Sequence, residues 1–260
     1  MSATEPKVFL IAETHIADGA GSLRDYLTAI RAHDWMSDAE SDAEWLVEIA
    51  GRLCYRSWKP GMNANVTKVR EGNRGYLGNV IAQRHGSVFE HASVSFIFHD
   101  VSRVFTHELV RHRVGVGISQ ESLRYVRLTD IPFWMPRAFR DDAEVTERGA
   151  ALVRAMEEFQ RHLADRFKLD DPAADFPMKK FITSAMRRFA PLGLATSILW
   201  TSNMRTLRHV IEQRTAAGAE EEIRLVFDEV ASIVTTRYPA IFQDFTRSEA
   251  GEWLPAASKI

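Results

Sequence analysis

The sequence predicts an α+β fold: a helix-rich single domain over residues 1–260 with a small antiparallel sheet. Three observations predict it. Ala143 to Phe167 and Ala219 to Thr236 carry apolar residues at helical spacing. A few shorter stretches alternate or run apolar, as strands do. No repeat, low-complexity block or Pro/Gly linker divides the chain, and 45% hydrophobic with 10% aromatic residues supply a sizeable core.

Val8 to Ala12 is a short apolar run and predicts a strand. Leu23 to Ile49 predicts a helix with an acidic patch from Ser37 to Glu44. Asn63 to Arg74 is polar and loop-like. Tyr76 to Arg84 predicts a helix ending near His85-Gly86, where glycine suits a C-terminal cap. Phe89 to Phe98 places Val94, Phe96 and Phe98 on one side and Ser93 and Ser95 on the other, a half-buried strand. Ser102 can cap the next helix, which carries Val104, Phe105, Leu109 and Val110 toward the core. That helix runs into Arg111-His112-Arg113 and is interrupted at Gly115 and Gly117.

Asp130 to Pro136 holds two prolines and reads as irregular. Ala143 to Phe167 is a long amphipathic helix. Lys179 to Phe189 is another, stopped by Pro191. Leu192 to Trp200 is apolar. Asn203 to Arg214 is helical, Gly218 breaks it, and Ala219 to Thr236 resumes with a core stripe of Ile223, Val226, Phe227, Val230 and Val234.

Composition narrows the function. A net charge of -2 argues against general nucleic-acid binding, which leaves a basic balance. The single Cys54 excludes an internal disulfide framework and a Cys-rich zinc site, and fits a reducing cytoplasm. Met1 to Pro6 lacks the apolar run of a signal peptide, and no window approaches a membrane span. A cytoplasmic protein is expected.

The chemistry centres on cations. Arg111-His112-Arg113 repel one another unless an anion lies between them, and guanidinium groups bind phosphate through paired hydrogen bonds. Ser122-Leu123-Arg124-Tyr125 follows closely. The pattern points to a phosphorylated small molecule. Metal catalysis fits poorly. His107 and His112 are five residues apart and diverge by about 140° on a helix, whereas zinc needs two histidines on one face. Gly115-Val116-Gly117 lacks the third glycine of a dinucleotide fingerprint. Ser122 has no nucleophile elbow and Cys54 no local activator. On the helix from Asn203, Leu207, Val210, Ile211 and Arg214 share a face, so Arg214 projects from apolar surroundings and needs an anion or strong acceptors.

Taken together these residues resemble the flavin-dependent thymidylate synthases. Arg111-His112-Arg113 followed by Ser122-x-Arg124-Tyr125 resembles their signature. Leu53-Cys54-Tyr55-x-Ser57, His85-Gly86-Ser87-x-Phe89-Glu90-His91, Arg187-x-x-x-Pro191, Trp200-x-x-Asn203-x-Arg205 and Arg214 occur in family order, over roughly residues 45 to 245. The resemblance implies a homotetramer with active sites at subunit interfaces and FAD as cofactor. NADPH and methylenetetrahydrofolate are the implied co-substrates, and a pyrimidine nucleoside monophosphate is the acceptor. By motif position, His85, Ser87, Arg111, His112, Arg113, Asn203, Arg205 and His209 would hold FAD. Ser122, Leu123, Arg124, Arg187 and again Arg111 would line the nucleotide. Arg214 would lie by the uracil ring as the catalytic cation. No metal and no enzyme nucleophile is implied.

The chain departs from the family pattern in places. Eight residues, Val114 to Glu121, separate Arg113 from Ser122 where seven are usual, so either Gln120 or Glu121 fills the position ahead of the serine. His107 and Glu108 replace a common Arg-Gln pair, Gly218 replaces His, and Glu220-Glu221 replace Gln-Trp. A Glu108 carboxylate can accept from sugar hydroxyls but repels phosphate, which opens UMP beside dUMP as substrate. Two other classes compete: a non-catalytic flavin- or nucleotide-binding homologue, and an RNA module, which the acidic balance disfavours.

Overall fold

A computed structural model describes residues 2–124, 128, 130–258 and 260 of the chain. Tyr125 of the signature lies outside the described residues. The chain packs as two compact units. One comprises Met1–Phe9, Ile97–His112 and Ile118–Trp200; the other comprises Leu10–Phe96, Arg113–Gly117 and Thr201–Ile260.

After the short β1 (Ser2–Ala3) comes β2 (Lys7–Glu13), as the apolar run predicts. The expected long helix from Leu23 to Ile49 is two helices, α1 (Leu23–Ala29) and α2 (Asp42–Tyr55). Local capping separates them. Ser41 accepts the Glu44 N–H at 3.3 Å and starts α2 afresh, while Asp38 accepts the Asn73 N–H at 2.6 Å. Next is α3 (Asn73–Ala82). Its C-cap is Gln83, followed by Arg84 at φ +57°, where the sequence suggested Gly86. The Arg84 N–H bonds the Ile81 carbonyl and the His85 N–H bonds Val80, the Schellman pattern.

A 3-10 turn, Gly86–Glu90, precedes β3 (Ser93–Ser102), so the strand starts later than its alternation suggested. Val94, Phe96 and Phe98 are buried as expected. Ser102 caps α4 (Arg103–Leu109) by accepting the Phe105 N–H at 3.1 Å. Phe105 and Leu109 are fully buried, whereas Val104 and Val110 are half-buried. The glycine-interrupted stretch that follows is a strand, β4 (Val116–Gln120).

Then come β5 (Pro132–Phe133), α5 (Arg137–Arg140) and α6 (Ala143–Arg166). Helix α7 (Phe176–Met186) begins earlier than Lys179, because Asp175 caps it and Pro177 sits in its first turn, where no N–H is needed. A 3-10 turn at Arg187–Phe189 leads to β6 (Ala195–Asn203), α8 (Met204–Arg214) and α9 (Glu221–Arg237). Glu220, one of the departures from the family pattern, caps α9 by accepting the N–H groups of Glu222 and Ile223. The stripe Ile223, Val226, Phe227, Val230 and Val234 is buried. β7 (Phe245–Arg247) and β8 (Trp253–Pro255) pair at the end.

The main sheet runs β2-β3-β6-β4. Its polar contacts give the register. Ser95 meets Thr201 at 2.8 Å and His99 meets Ser197 at 2.8 Å, so rising numbers on β3 face falling numbers on β6. The Asn203 N–H bonds the Gly115 carbonyl and the Glu121 N–H bonds Ser197, which makes β6 and β4 antiparallel as well. Among the described residues no helix is long and apolar enough to cross a membrane.

Candidate active site

Of the flavin candidates in the second unit, Asn203 and Arg205 lie at the start of α8. Asn203 caps that helix, its side-chain oxygen accepting the Thr206 N–H at 2.8 Å. Its own N–H bonds the Gly115 carbonyl at 3.0 Å, and the Thr206 hydroxyl donates to the Val114 carbonyl at 2.8 Å. Val114 and Gly115 are thereby tied to the first turn of α8. Gly115 has φ +69°, and a Cβ there would collide with the Asn203 amide and stand 2.9 Å from the Thr206 hydroxyl. Only glycine fits. Gly115→Ala is expected to cost about 1–3 kcal/mol from left-handed strain and overpacking, a drop in melting temperature of several degrees. Thermal denaturation followed by circular dichroism checks it.

Arg205 follows Asn203 on α8. Its Nε donates to the Ile260 carbonyl at 2.8 Å, and its guanidinium pairs with Glu90. His209 is exposed one turn on. His85 precedes and Ser87 lies within the 3-10 turn that packs against α8, and both are exposed. The His85 ring lies 6.0 Å from Tyr55, nearly parallel to it. Gly86 is buried between them, where a Cβ would collide with Ile260.

Arg208 locks this arrangement from below. It is buried, bonds Asp244 through two oxygens at 2.8 and 2.9 Å, and lies 5.6 Å over Phe89 and 4.8 Å over Phe245. Arg214 ends α8 beyond the buried Leu207, Val210 and Ile211. The sequence reading of a buried arginine needs correction: Arg214 is half-buried, although its helix neighbours Ile211 and Thr215 are fully buried.

The nucleotide candidates belong chiefly to the first unit. The buried Phe105 and Leu109 fix α4, which carries the half-buried Glu108. The chain then turns, with the Arg111 N–H on the Glu108 carbonyl at 3.2 Å and the His112 N–H on Leu109 at 3.1 Å. Arg111 is exposed and His112 half-buried. Among the described residues, no group of three or more His, Cys, Asp or Glu is placed to hold a metal ion.

Glu121 is committed to the sheet. Its carboxylate accepts the Ser197 N–H at 3.0 Å and the Thr196 hydroxyl at 3.3 Å. Its carbonyl accepts from Arg103 at 2.9 Å. Burial pulls the Arg103 pKa below the usual arginine range, and the Glu121 charge opposes that shift. Gln120 differs: its amide nitrogen is buried without a hydrogen-bond partner. Ser122 accepts the Arg124 N–H at 3.3 Å, and Leu123 packs on the cluster of Leu128, Ile131, Val153 and Leu194. Arg124 and Arg187 are exposed. Gln160 steadies the end of α7 by donating to the Met186 carbonyl at 3.1 Å.

Known proteins resemble this chain in sequence and in fold. The profile described as "Thymidylate synthase complementing protein" matches residues 36–240. The flavin-dependent thymidylate synthase of Mycobacterium tuberculosis (strain ATCC 25618 / H37Rv) is 38% identical over 215 residues, covering 81% of this chain and 82% of that protein. The chain belongs to the flavin-dependent thymidylate synthases. As a member of that family it is an enzyme with a flavin cofactor. The family's representative from Mycolicibacterium gilvum (strain PYR-GCK) is 36% identical over 214 residues, covering 82% of this chain and 83% of its own. Among solved structures, a UMP/dUMP methylase, PolB from Streptomyces cacaoi bound with 5-Br dUMP, matches with a TM-score of 0.57. It covers 93% of this chain and 95% of its own at 19% identity, a likeness of fold.

The residues present in this flavin-dependent synthase fit such a cofactor. Gly115 keeps the wall beside Asn203 free of a side chain, and Arg113, Ser87 and His209 are exposed. Sequence reasoning missed the supports: Arg103, Ser197, Thr206 and Asp244. Each acts through a partner distant in sequence, which no local motif marks. The polar alternation of Ser197 and Thr201 along β6 was the one available signal.

Proposed function

We propose that the chain methylates C5 of dUMP, with methylenetetrahydrofolate as carbon donor and NADPH-reduced FAD as hydride source. His85, Ser87, Arg111, His112, Arg113, Asn203, Arg205 and His209 hold the FAD, which when bound supplies the hydride. Ser122, Arg124 and Arg187 bind the nucleotide and its phosphate, with Leu123 packing behind them. Arg214 stands by the uracil carbonyl and N3, where a fixed cation stabilises developing negative charge. No side chain is needed as nucleophile, in keeping with an exposed Cys54 that lies apart from these residues in sequence.

The observation that carries the substrate reading is the pair Gln120 and Glu121. Glu121 spends its carboxylate on β6, whereas the buried Gln120 amide retains an unused donor. A buried donor seeks an acceptor, and the nucleotide's carbonyl or hydroxyl oxygens are acceptors. Gln120 therefore fills the position ahead of Ser122, and the extra residue is absorbed by Glu121. The whole 260-residue chain acts as one catalytic domain in a homotetramer. Exposed Leu152, Phe159, Phe176, Phe181, Phe189 and Leu192 in the first unit favour contact with further copies.

UMP is the second reading, favoured by the half-buried Glu108 and by a structural neighbour described as a UMP/dUMP methylase. Equal amounts of dUMP and UMP, offered to the enzyme with FAD, NADPH and methylenetetrahydrofolate, decide between them. Methylated dUMP should predominate in the mass spectrum. Predominant methylated UMP that is lost in Glu108→Gln would move the assignment to the ribonucleotide.

A further inference from the structure

The span shared with the family ends at residue 240, and the chain beyond it returns to the flavin candidates. β8 and the residues after it run back along α8, from its end toward its first turn. The Trp253 N–H bonds the Thr215 hydroxyl at 2.9 Å, just past the last turn of α8. Ala256 and Ala257 are pinned next. Their N–H groups bond the Asp244 carbonyl at 2.9 Å and its carboxylate at 3.3 Å, and that carboxylate also holds Arg208. Ile260 then reaches the first turn, where its backbone oxygen accepts from the Arg205 Nε at 2.8 Å.

Ile260 is firmly seated. It is buried, and its backbone stands so close to Gly86 that a Cβ there would lie 2.1 Å from it. Gly86 sits between His85 and Ser87 in sequence. One residue thus touches both elements that carry these flavin candidates, the 3-10 turn and α8. Glu90 of the same turn pairs with the Arg205 guanidinium. A long side chain with much rotamer freedom is therefore held in one place by two acceptors. The Arg205 side chain nevertheless stays 41% exposed. A guanidinium carries five N–H donors, so one held by Ile260 and Glu90 still has donors for an anion.

We infer that Ile260 is a positioning residue for the flavin. Its backbone oxygen, with Glu90, presets the Arg205 guanidinium for the phosphates of the dinucleotide, and its buried side chain anchors that oxygen beside Gly86. The inference rests on the reading that Arg205 holds FAD.

FAD release on dilution of the holoenzyme, followed by flavin fluorescence, gives the dissociation constant. Ending the chain at Ala257 should weaken FAD binding about three- to tenfold, the worth of ordering one long side chain in advance. Ile260→Val keeps both anchor and oxygen and should bind FAD as the parent does. Arg205→Gln should weaken FAD by itself. In that background, ending the chain at Ala257 should add less than about twofold, because both changes act through one group. Additive effects, or an Ile260→Val variant as weak as the shortened chain, would reveal a general loss of packing and overturn the inference. Parent-like FAD binding by the shortened chain, with Arg205→Gln weakened, also overturns it and leaves the site reading standing. Parent-like binding by Arg205→Gln overturns the site reading and the inference together. Should the shortened chain fail to fold, Ile260→Gly, which removes only the buried anchor, takes its place in the same comparisons.

Discussion

Replacing Arg214 by glutamine is expected to cut turnover about 10²–10³-fold, the usual loss when one preorganised stabiliser of developing charge is removed. The flavin should stay bound and the melting temperature should hardly move. Arg214 closes α8 next to the buried Leu207, Val210 and Ile211, so its guanidinium is positioned by a rigid element. A cation at a helix C-terminus is also favoured by the macrodipole, and arginine keeps its charge at any working pH. Lysine at this position should recover only part of the rate, because its ammonium is a point charge without the planar fork. Steady-state rates together with flavin absorbance separate loss of chemistry from loss of cofactor. A Gln variant within about threefold of the parent rate would remove Arg214 from the reacting centre, since an oxyanion-type donor is worth far more.

The largest effect on stability is expected from Asp244→Ala. The Arg208–Asp244 pair is nearly inaccessible to solvent, with side-chain exposures of 4% and 9%. Removing the carboxylate strands a buried cation, and such changes cost about 3–5 kcal/mol. The melting temperature should fall by roughly 10 °C, given the usual scaling for a chain this long. Arg208 also lies over Phe89 of the turn that carries Ser87, and α8 carries Asn203 and Arg205. Flavin retention should therefore weaken along with stability. An Arg208→Met, Asp244→Leu double variant should recover much of the melting temperature, because an apolar pair removes the uncompensated charge. Calorimetry on the three proteins checks both claims.

How much of this was legible depended on how local the cause is. Helices α6, α8 and α9 were readable because their stripes repeat over many turns and their caps are adjacent residues. The half-buried β3 was readable from Val94, Phe96 and Phe98. The break between α1 and α2 was not, because it depends partly on Asp38 reaching Asn73, 35 residues away. β4 was hidden because two glycines flank Val116, and its pairing comes from β6 across the sequence. The choice between Gln120 and Glu121 was equally closed to sequence reasoning. It turns on hydrogen bonds to Thr196 and Ser197, 75 and 76 residues downstream. Arg208, inside a helix of candidate site residues, shows no local sign that its partner is Asp244.

The central claim is that these residues bind a nucleotide, a folate and a flavin for one methyl transfer. The most direct measurement is the mass of the nucleotide product when dUMP is incubated with the enzyme, FAD, NADPH and methylenetetrahydrofolate, and with each component omitted in turn. The account predicts a methylated nucleotide only in the complete mixture. NADPH oxidation with no methylated nucleotide, or methylation that persists without the folate or the flavin, would contradict it.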